Sequence, residues 1–224
     1  LRVTEHVRSK LMQVPGSNPD RETLTVIKTH DGLPYHLDTD GNYWRMYIFI
    51  ADTDSYDKID SPEKAYQGGL AFGAFQKYLS DLPGGPLFET IPNFHNIRMR
   101  LDKLAQAAEL DVKKRKAQVQ PELDFVASLA EDMQTILNLG EAGKIPLRVT
   151  HNDTKFNNVL LDHKTGKGLC VIDLDTVMPG YLQYDFSDTI RTATNTGAED
   201  DPQLNRVTMS LPVFGGFAEG FLSQ

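Results

Sequence analysis

The densest group of residues able to do chemistry is His151-Asn-Asp-Thr-Lys-Phe-Asn-Asn158, set between the apolar runs 146–149 and 159–161. Asp173, fifteen residues beyond Asn158, lies in the run Val171-Ile-Asp-Leu-Asp175, which closes a short apolar stretch with carboxylates. A polar loop anchored between two buried strands is held in place, which is what a reacting site needs. Asp153, Asn158 and Asp173 offer oxygen as base or ligand, and no soft donor stands near them. Oxygen-only ligation suits Mg²⁺, which shares its shell with substrate phosphates instead of filling a protein cage. Plainer readings compete. Asp and Asn beside strands commonly make turns, and His151 alone reads as a hydrogen-bonded structural histidine. No G-x-S-x-G elbow supports a Ser–His–Asp hydrolase, and no HExxH or second clustered His supports a metal hydrolase.

The flanking pattern predicts the elements that position these groups. Residues 1–12 read as a helix with Leu1, Thr4, His6, Val7 and Leu11 spaced for one face. Segments 23–30, 35–38 and 43–50, punctuated by Asp31-Gly32 and Asp40-Gly41-Asn42, predict a small antiparallel sheet. The polar stretch 51–57 is the best boundary between lobes. Ser61 before Pro62 and Glu63 is a helix start, and Pro83-Gly84-Gly85 is its stop. Further helices are expected at 97–109 and 122–139, the latter stopped by Gly140 and Gly143, and short strands at 147–150, 159–161 and 169–172. Lys113-Lys-Arg-Lys116 reads as a solvated loop, and Cys170, in an apolar run, as a buried and inert thiol.

Composition excludes other classes. The 224 residues carry 23 Lys and Arg against 31 Asp and Glu, a net charge of −8, which argues against phosphate-driven nucleic-acid binding. One cysteine builds no disulfide framework and no zinc site. The longest apolar stretch, 46–51, is too short to span a bilayer, and no signal peptide is visible. The expectation is a soluble, cytoplasmic protein with no membrane partner. A leading Leu and a last segment that stops within an amphipathic pattern suggest a piece of a longer chain.

His151-x-Asp153-x-Lys155-x-x-Asn158 followed by Val-Leu-Leu resembles the catalytic loop of protein-kinase-like phosphotransferases, with Asp173 as the metal-binding Asp on a later strand. Leu174-Asp175 after it, and Tyr184-Asp-Phe-Ser-Asp188 after Pro179-Gly180, resemble the aminoglycoside-phosphotransferase branch of small-molecule kinases. Within that branch, Trp44-Arg45, His151-Asn-Asp-Thr-Lys155, the run from Val171 to Gly180 and Tyr184-Asp-Phe186 look most like N-acetylhexosamine 1-kinases.

The resemblance implies an α+β, protein-kinase-like two-lobed fold: an incomplete N-lobe over 1–51, a hinge at 52–60 and a mainly helical C-lobe over 61–224. It implies ATP and Mg²⁺ as cofactors and a small-molecule acceptor, most similar to an amino sugar phosphorylated at its anomeric hydroxyl. It makes Asp153 the base, Lys155 a contact to the transferred phosphoryl group, Asn158 and Asp173 metal ligands, and Asp175 a second ligand or a helper. Phe49, Ile50, Ala51 and Asp52 become the adenine hinge, with Leu160 and Ile172 lining the nucleotide site. His151 and Asp185 become structural braces of the loop. The segment Pro92-Asn-Phe-His-Asn-Ile-Arg98 is read either as a wall of the acceptor pocket through His95 and Arg98, or as a helix start capped by Asn93 or Asn96. Kinases of this kind carry a glycine-bearing loop and a phosphate-binding lysine ahead of the first helix, and these residues hold no counterpart. A kinase for an aminoglycoside, choline or homoserine is the rival within the class. A pseudokinase-like binding module is the rival outside it.

Overall fold

In the computed structural model, which describes residues 1–197 and 201–224, helix α1 (Arg2–Leu11) buries Val3, Val7 and Leu11 along one face. A short helix, α2 (Pro19–Glu22), follows it. The expected antiparallel sheet forms as two separate ladders. Strand β1 (Val26–Ile27) pairs with β4 (Met46–Tyr47), and β2 (His36–Leu37) pairs with β3 (Tyr43–Trp44). Pro34 has no N–H to give a ladder, and Arg45 leaves it between β3 and β4 to reach Asp175. The polar boundary segment is partly a strand: β5 (Thr53–Asp54) pairs with β7 (Val159–Asp162), which continues onto β8 (Gly168–Val171).

Helix α3 (Pro62–Leu79) begins as its sequence dictates, with Ser61 Oγ accepting the Lys64 N–H at 3.2 Å and Pro62 in the first turn. It is the spine of the core. Phe72, Phe75 and Leu79 pack with α1, with Phe156, Val159 and Leu161, and with Phe217 and Phe221 of α8 (Leu211–Leu222). Helix α1 therefore shares its core with the helical part of the chain. The contact between α3 and α8 is made by backbone. A Cβ on Gly69 would sit 2.3 Å from the Phe217 carbonyl oxygen, and one on Gly220 would sit 2.2 Å from that of Tyr66. Gly220→Ala is therefore expected to push the helices apart and cost about 1–3 kcal/mol, read as a lower urea midpoint. An unchanged midpoint would mean that the helices do not cross this closely.

Helices α4 (Ile97–Leu110), α5 (Gln120–Met133) and α6 (Thr135–Glu141) bury no residue fully. The single helix expected over 122–139 breaks at Gln134. Its side chain accepts from Arg98 Nε at 3.0 Å and donates to the Ala130 carbonyl, and its backbone flattens to ψ −3°. Strand β6 (Arg148–Thr150) pairs with β9 (Met178–Gly180), a strand the pattern did not announce. Helix α7 (Leu182–Ala193) then packs beneath β6 and the loop that follows it. Cys170 is buried, which pushes its thiol up to about 12.

Candidate functional site

The loop after β6 is built on one buried carboxylate. Asp185, in the first turn of α7, accepts the His151 N–H on Oδ2 at 2.8 Å and the Asn152 N–H on Oδ1 at 2.7 Å. Gln76 of α3 donates its side-chain amide to Oδ2 as well. Burial pushes the Asp185 carboxyl above the usual carboxylate range, and the two N–H groups pull it back. From the same helix Thr189 donates its hydroxyl to the Thr154 carbonyl at 2.7 Å, and Thr154 donates to the Asp185 carbonyl. His151 is fully buried, edge-on to Phe72 at 5.7 Å and Phe75 at 6.0 Å. Its Nδ1 accepts the Asp153 N–H at 3.3 Å, so Nε2–H donates to the Ile172 carbonyl at 2.9 Å. One imidazole thus joins the loop to the segment that carries Asp173.

Against this rigid frame the candidate side chains differ in exposure: Asn158 is buried, Asp153 and Lys155 are half-buried, and Asp173 is exposed. Asp153 and Lys155 lie side by side, with Lys155 Nζ 3.7 Å from Asp153 Oδ1. Asn158 ends a 3₁₀ turn, Phe156–Asn158, whose Phe156 ring is wedged against α3 where Gly68 has no Cβ to obstruct it. The Asn158 amide N–H donates to the Asp153 carbonyl at 2.8 Å, which leaves Oδ1 free of that bond as an acceptor. The Asn158 carbonyl accepts the Ile172 N–H at 2.9 Å, tying in the Asp173 strand end. Asp173 is exposed and left-handed, with φ 57°, and Asn152 is left-handed too, with φ 67°. Non-glycine residues held there are uncommon, and Asp and Asn tolerate the region best.

The donors Asn158 Oδ1 and the Asp173 carboxylate are hard oxygens and fit a small hard cation. Among the described residues no three His, Cys, Asp or Glu side chains form a metal cluster. A cation here would complete its shell with water and phosphate oxygen. Asp175 is exposed, is ion-paired to Arg45 of the β3–β4 junction and lines a cleft with it.

The segment expected to be the hinge is anchored: Arg21 donates to the Ala51 carbonyl at 2.9 Å and to Asp162 at 2.9 Å. Ile50 is buried, Phe49 is exposed, Asp52 turns with φ 55°, and Leu160 and Ile172 are half-buried. His95 and Arg98 are not brought together. His95 Nε2 meets the Asn152 carbonyl at 2.9 Å, its ring stands 4.9 Å from Tyr184, and it lines a cavity of about 150 Å³. Arg98 instead spends its guanidinium on Gln134, Asn138 and Glu141, joining α4 to α6, so it is withdrawn as an acceptor contact. Asn96 is the cap of α4, its side chain accepting the Met99 N–H at 3.1 Å.

The elements and the loop define a protein-kinase-like α+β fold. Comparison with known proteins gives the narrower statement: the profile of the phosphotransferase enzyme family, APH, matches residues 8–210, and the chain belongs to that family. Among solved structures it is similar to a spectinomycin phosphotransferase in complex with ADP and spectinomycin. The two share 15% identity and a TM-score of 0.56, over 97% of this chain and 63% of that one. An aminoglycoside phosphotransferase from Alicyclobacillus acidocaldarius also matches, at 15% identity and TM-score 0.49, over 85% of this chain and 57% of that one. The chain thus spans less than two thirds of the length of either. Among the described residues no helix is long and apolar enough to cross a membrane.

Proposed function

We propose that this chain carries the catalytic loop of a kinase that moves the γ-phosphoryl group of ATP to a hydroxyl of a small molecule, the anomeric hydroxyl of an N-acetylhexosamine. The single observation that supports it most is Asp153 beside Lys155 on a loop pinned by Asp185, within a chain of the phosphotransferase family. The spectinomycin phosphotransferase of similar fold holds ADP, which favours a nucleotide here as well. Phosphoryl transfer needs positioning and charge neutralisation more than covalent catalysis, so a base, a lysine and a divalent cation suffice.

In this reading Asp153 takes the proton of the acceptor hydroxyl as its oxygen bonds to the γ-phosphorus. The bond from that phosphorus to the β–γ bridging oxygen breaks, and ADP leaves with the electron pair. Lys155 neutralises charge on the transferring group. Asp173 and Asn158 would hold Mg²⁺, which supplies further neutralisation of phosphate charge when bound. The backbone of residues 49–52 would take the adenine, over Leu160 and Ile172. His95 acts through the Asn152 carbonyl as a positioning residue.

The reading is tested by following ADP release with N-acetylglucosamine, N-acetylgalactosamine, choline and an aminoglycoside as acceptors. Saturable release with either hexosamine supports it. Turnover of choline or the aminoglycoside alone would move the protein to another branch, and no turnover with any would leave a binding module. Asp153→Ala should lower kcat by about 10²–10⁴ with nucleotide KM little changed, as for loss of a general base. Lys155→Ala should likewise act on kcat. If either variant raised only the nucleotide KM, the roles would be wrong.

A further inference from the structure

Asn152, between His151 and Asp153, keeps a buried side chain on a backbone better suited to glycine. Its φ is 67°, in the left-handed region where glycine is least strained, and the residue is 2% exposed. Every polar atom it carries is paired. The backbone N–H donates to Asp185 at 2.7 Å, and the carbonyl meets His95 Nε2 at 2.9 Å. The side-chain Oδ1 accepts the Thr150 hydroxyl at 2.9 Å. The two amide hydrogens serve three carbonyls, those of Thr176 at 3.0 Å, Thr150 at 3.2 Å and Met178 at 3.4 Å. Turning the amide over would set Oδ1 against those oxygens, so the network fixes its sense. Gly180 makes the room, since a Cβ there would lie 2.7 Å from Asn152 Oδ1.

These bonds join two stretches of chain that carry different parts of the chemistry. Asp153 follows Asn152 directly, and Thr176 and Met178 lie three and five residues beyond Asp173. The Thr176 hydroxyl adds to the link by donating to the His151 carbonyl at 2.7 Å. On the other side of Asp173, His151 Nε2–H holds the Ile172 carbonyl at 2.9 Å. Asp173 is therefore tied to the loop from both flanks, upstream by His151 and downstream by Asn152 with Thr176. Its side chain is exposed, so the backbone beneath it, more than packing, decides where its carboxylate stands.

We infer that Asn152 is a positioning residue that sets the Asp173 carboxylate against Asp153, so that a divalent cation and the base address one phosphoryl group. This deepens the kinase reading and rests on it, but metal binding and backbone exchange can be followed without turnover. Positioning is steep in distance, and a displacement of about 1 Å can cost about 10²-fold in rate. Asn152→Gly is the informative variant, because Gly holds the left-handed backbone without strain and only the side chain is lost. The N–H to Asp185 and the carbonyl to His95 stay in place. Mn²⁺ affinity in the presence of ADP, read by electron paramagnetic resonance, should fall about tenfold. At saturating Mg²⁺, kcat for ADP release should fall by about 10-fold to 10²-fold. Amide hydrogen exchange should quicken over residues 172–178 and stay as in the parent over 159–162. Circular dichroism and thermal melting would show that the variant is folded.

Parental Mn²⁺ affinity in folded Asn152→Gly would overturn the inference even if the melting temperature fell, because the amide would then serve structure alone. A parent that binds no Mn²⁺ beside ADP would overturn it outright. A parent that binds Mn²⁺ with ADP but phosphorylates no acceptor would end the kinase reading alone. The Mn²⁺ comparison would then decide this inference by itself, a loss in Asn152→Gly supporting it and equal affinity ending it. Should Asn152→Gly fail to fold, Thr176→Val takes its place, since it removes the hydroxyl given to His151 at nearly constant volume. Weaker Mn²⁺ binding in that variant supports the link, and unchanged binding overturns it.

Discussion

Asp173→Asn should lower ADP release by about 10³-fold or more while the protein stays folded. The substitution removes a negative charge and keeps the volume, so it separates charge from packing. It also keeps the backbone. Asp173 sits at φ 57°, and Asn adopts that left-handed region about as readily as Asp, whereas Ala would add strain. The side chain is exposed, so little packing is disturbed. If Asp173 and Asn158 hold Mg²⁺, the variant retains two amide oxygens and no carboxylate, and a hard divalent cation binds such a pair weakly. Thermal melting of the variant should match the parent, and raising Mg²⁺ should recover only part of the lost rate. Full activity at ordinary Mg²⁺ would remove Asp173 from the site. An unfolded variant would show instead that the carboxylate supports structure that its exposure does not reveal.

The loop over 151–158 was legible as a candidate because its signal is local. Asp153, Lys155 and Asn158 fall within six residues between two apolar runs, and runs of that kind fold as strands wherever they find partners. The start of α3 was legible for the same reason, since a Ser-Pro-Glu cap acts within one turn. What holds the loop was not. Thr154, Thr176 and Thr189 are ordinary hydroxyl residues in the sequence, and Gln76 lies more than a hundred residues from Asp185. Their hydrogen bonds exist only after α3, α7 and the β6–β9 pair have packed. The spacing of Gly69 and Gly73, matched by Gly216 and Gly220, is a signal that was there to be read, one glycine per turn on two helices. Where the sheet and the expected helix over 122–139 break, arginines make long-range contacts, Arg45 to Asp175 and Arg98 to α6. Period and propensity do not see such contacts. The same cause explains Arg98, whose residue type suited an acceptor pocket but whose nearest partners took the whole guanidinium.

Asp185→Ala should be the most destabilising single change near the site, by about 3–5 kcal/mol, because it strips partners from groups that stay buried. The N–H groups of His151 and Asn152 would face an apolar gap, and the Gln76 amide would lose its acceptor. Gln76 already has one buried unpaired atom, Oε1, so its environment has no spare partner to offer. Gln76→Ala removes one donor and should cost less, about 1–3 kcal/mol. The order of the two urea midpoints is therefore part of the prediction, and a reversed order would place the weight of the loop on α3 instead of α7. Asp185→Ala should also flatten the pH dependence of stability. The raised carboxyl of Asp185 binds its proton more readily folded than unfolded, so its contribution is complete below the ordinary carboxylate range. It declines as pH rises through the elevated value. If the folded fraction of Asp185→Ala kept full turnover, the loop would need no anchor, and the pairing of Asp153 with Lys155 would be a property of the loop alone.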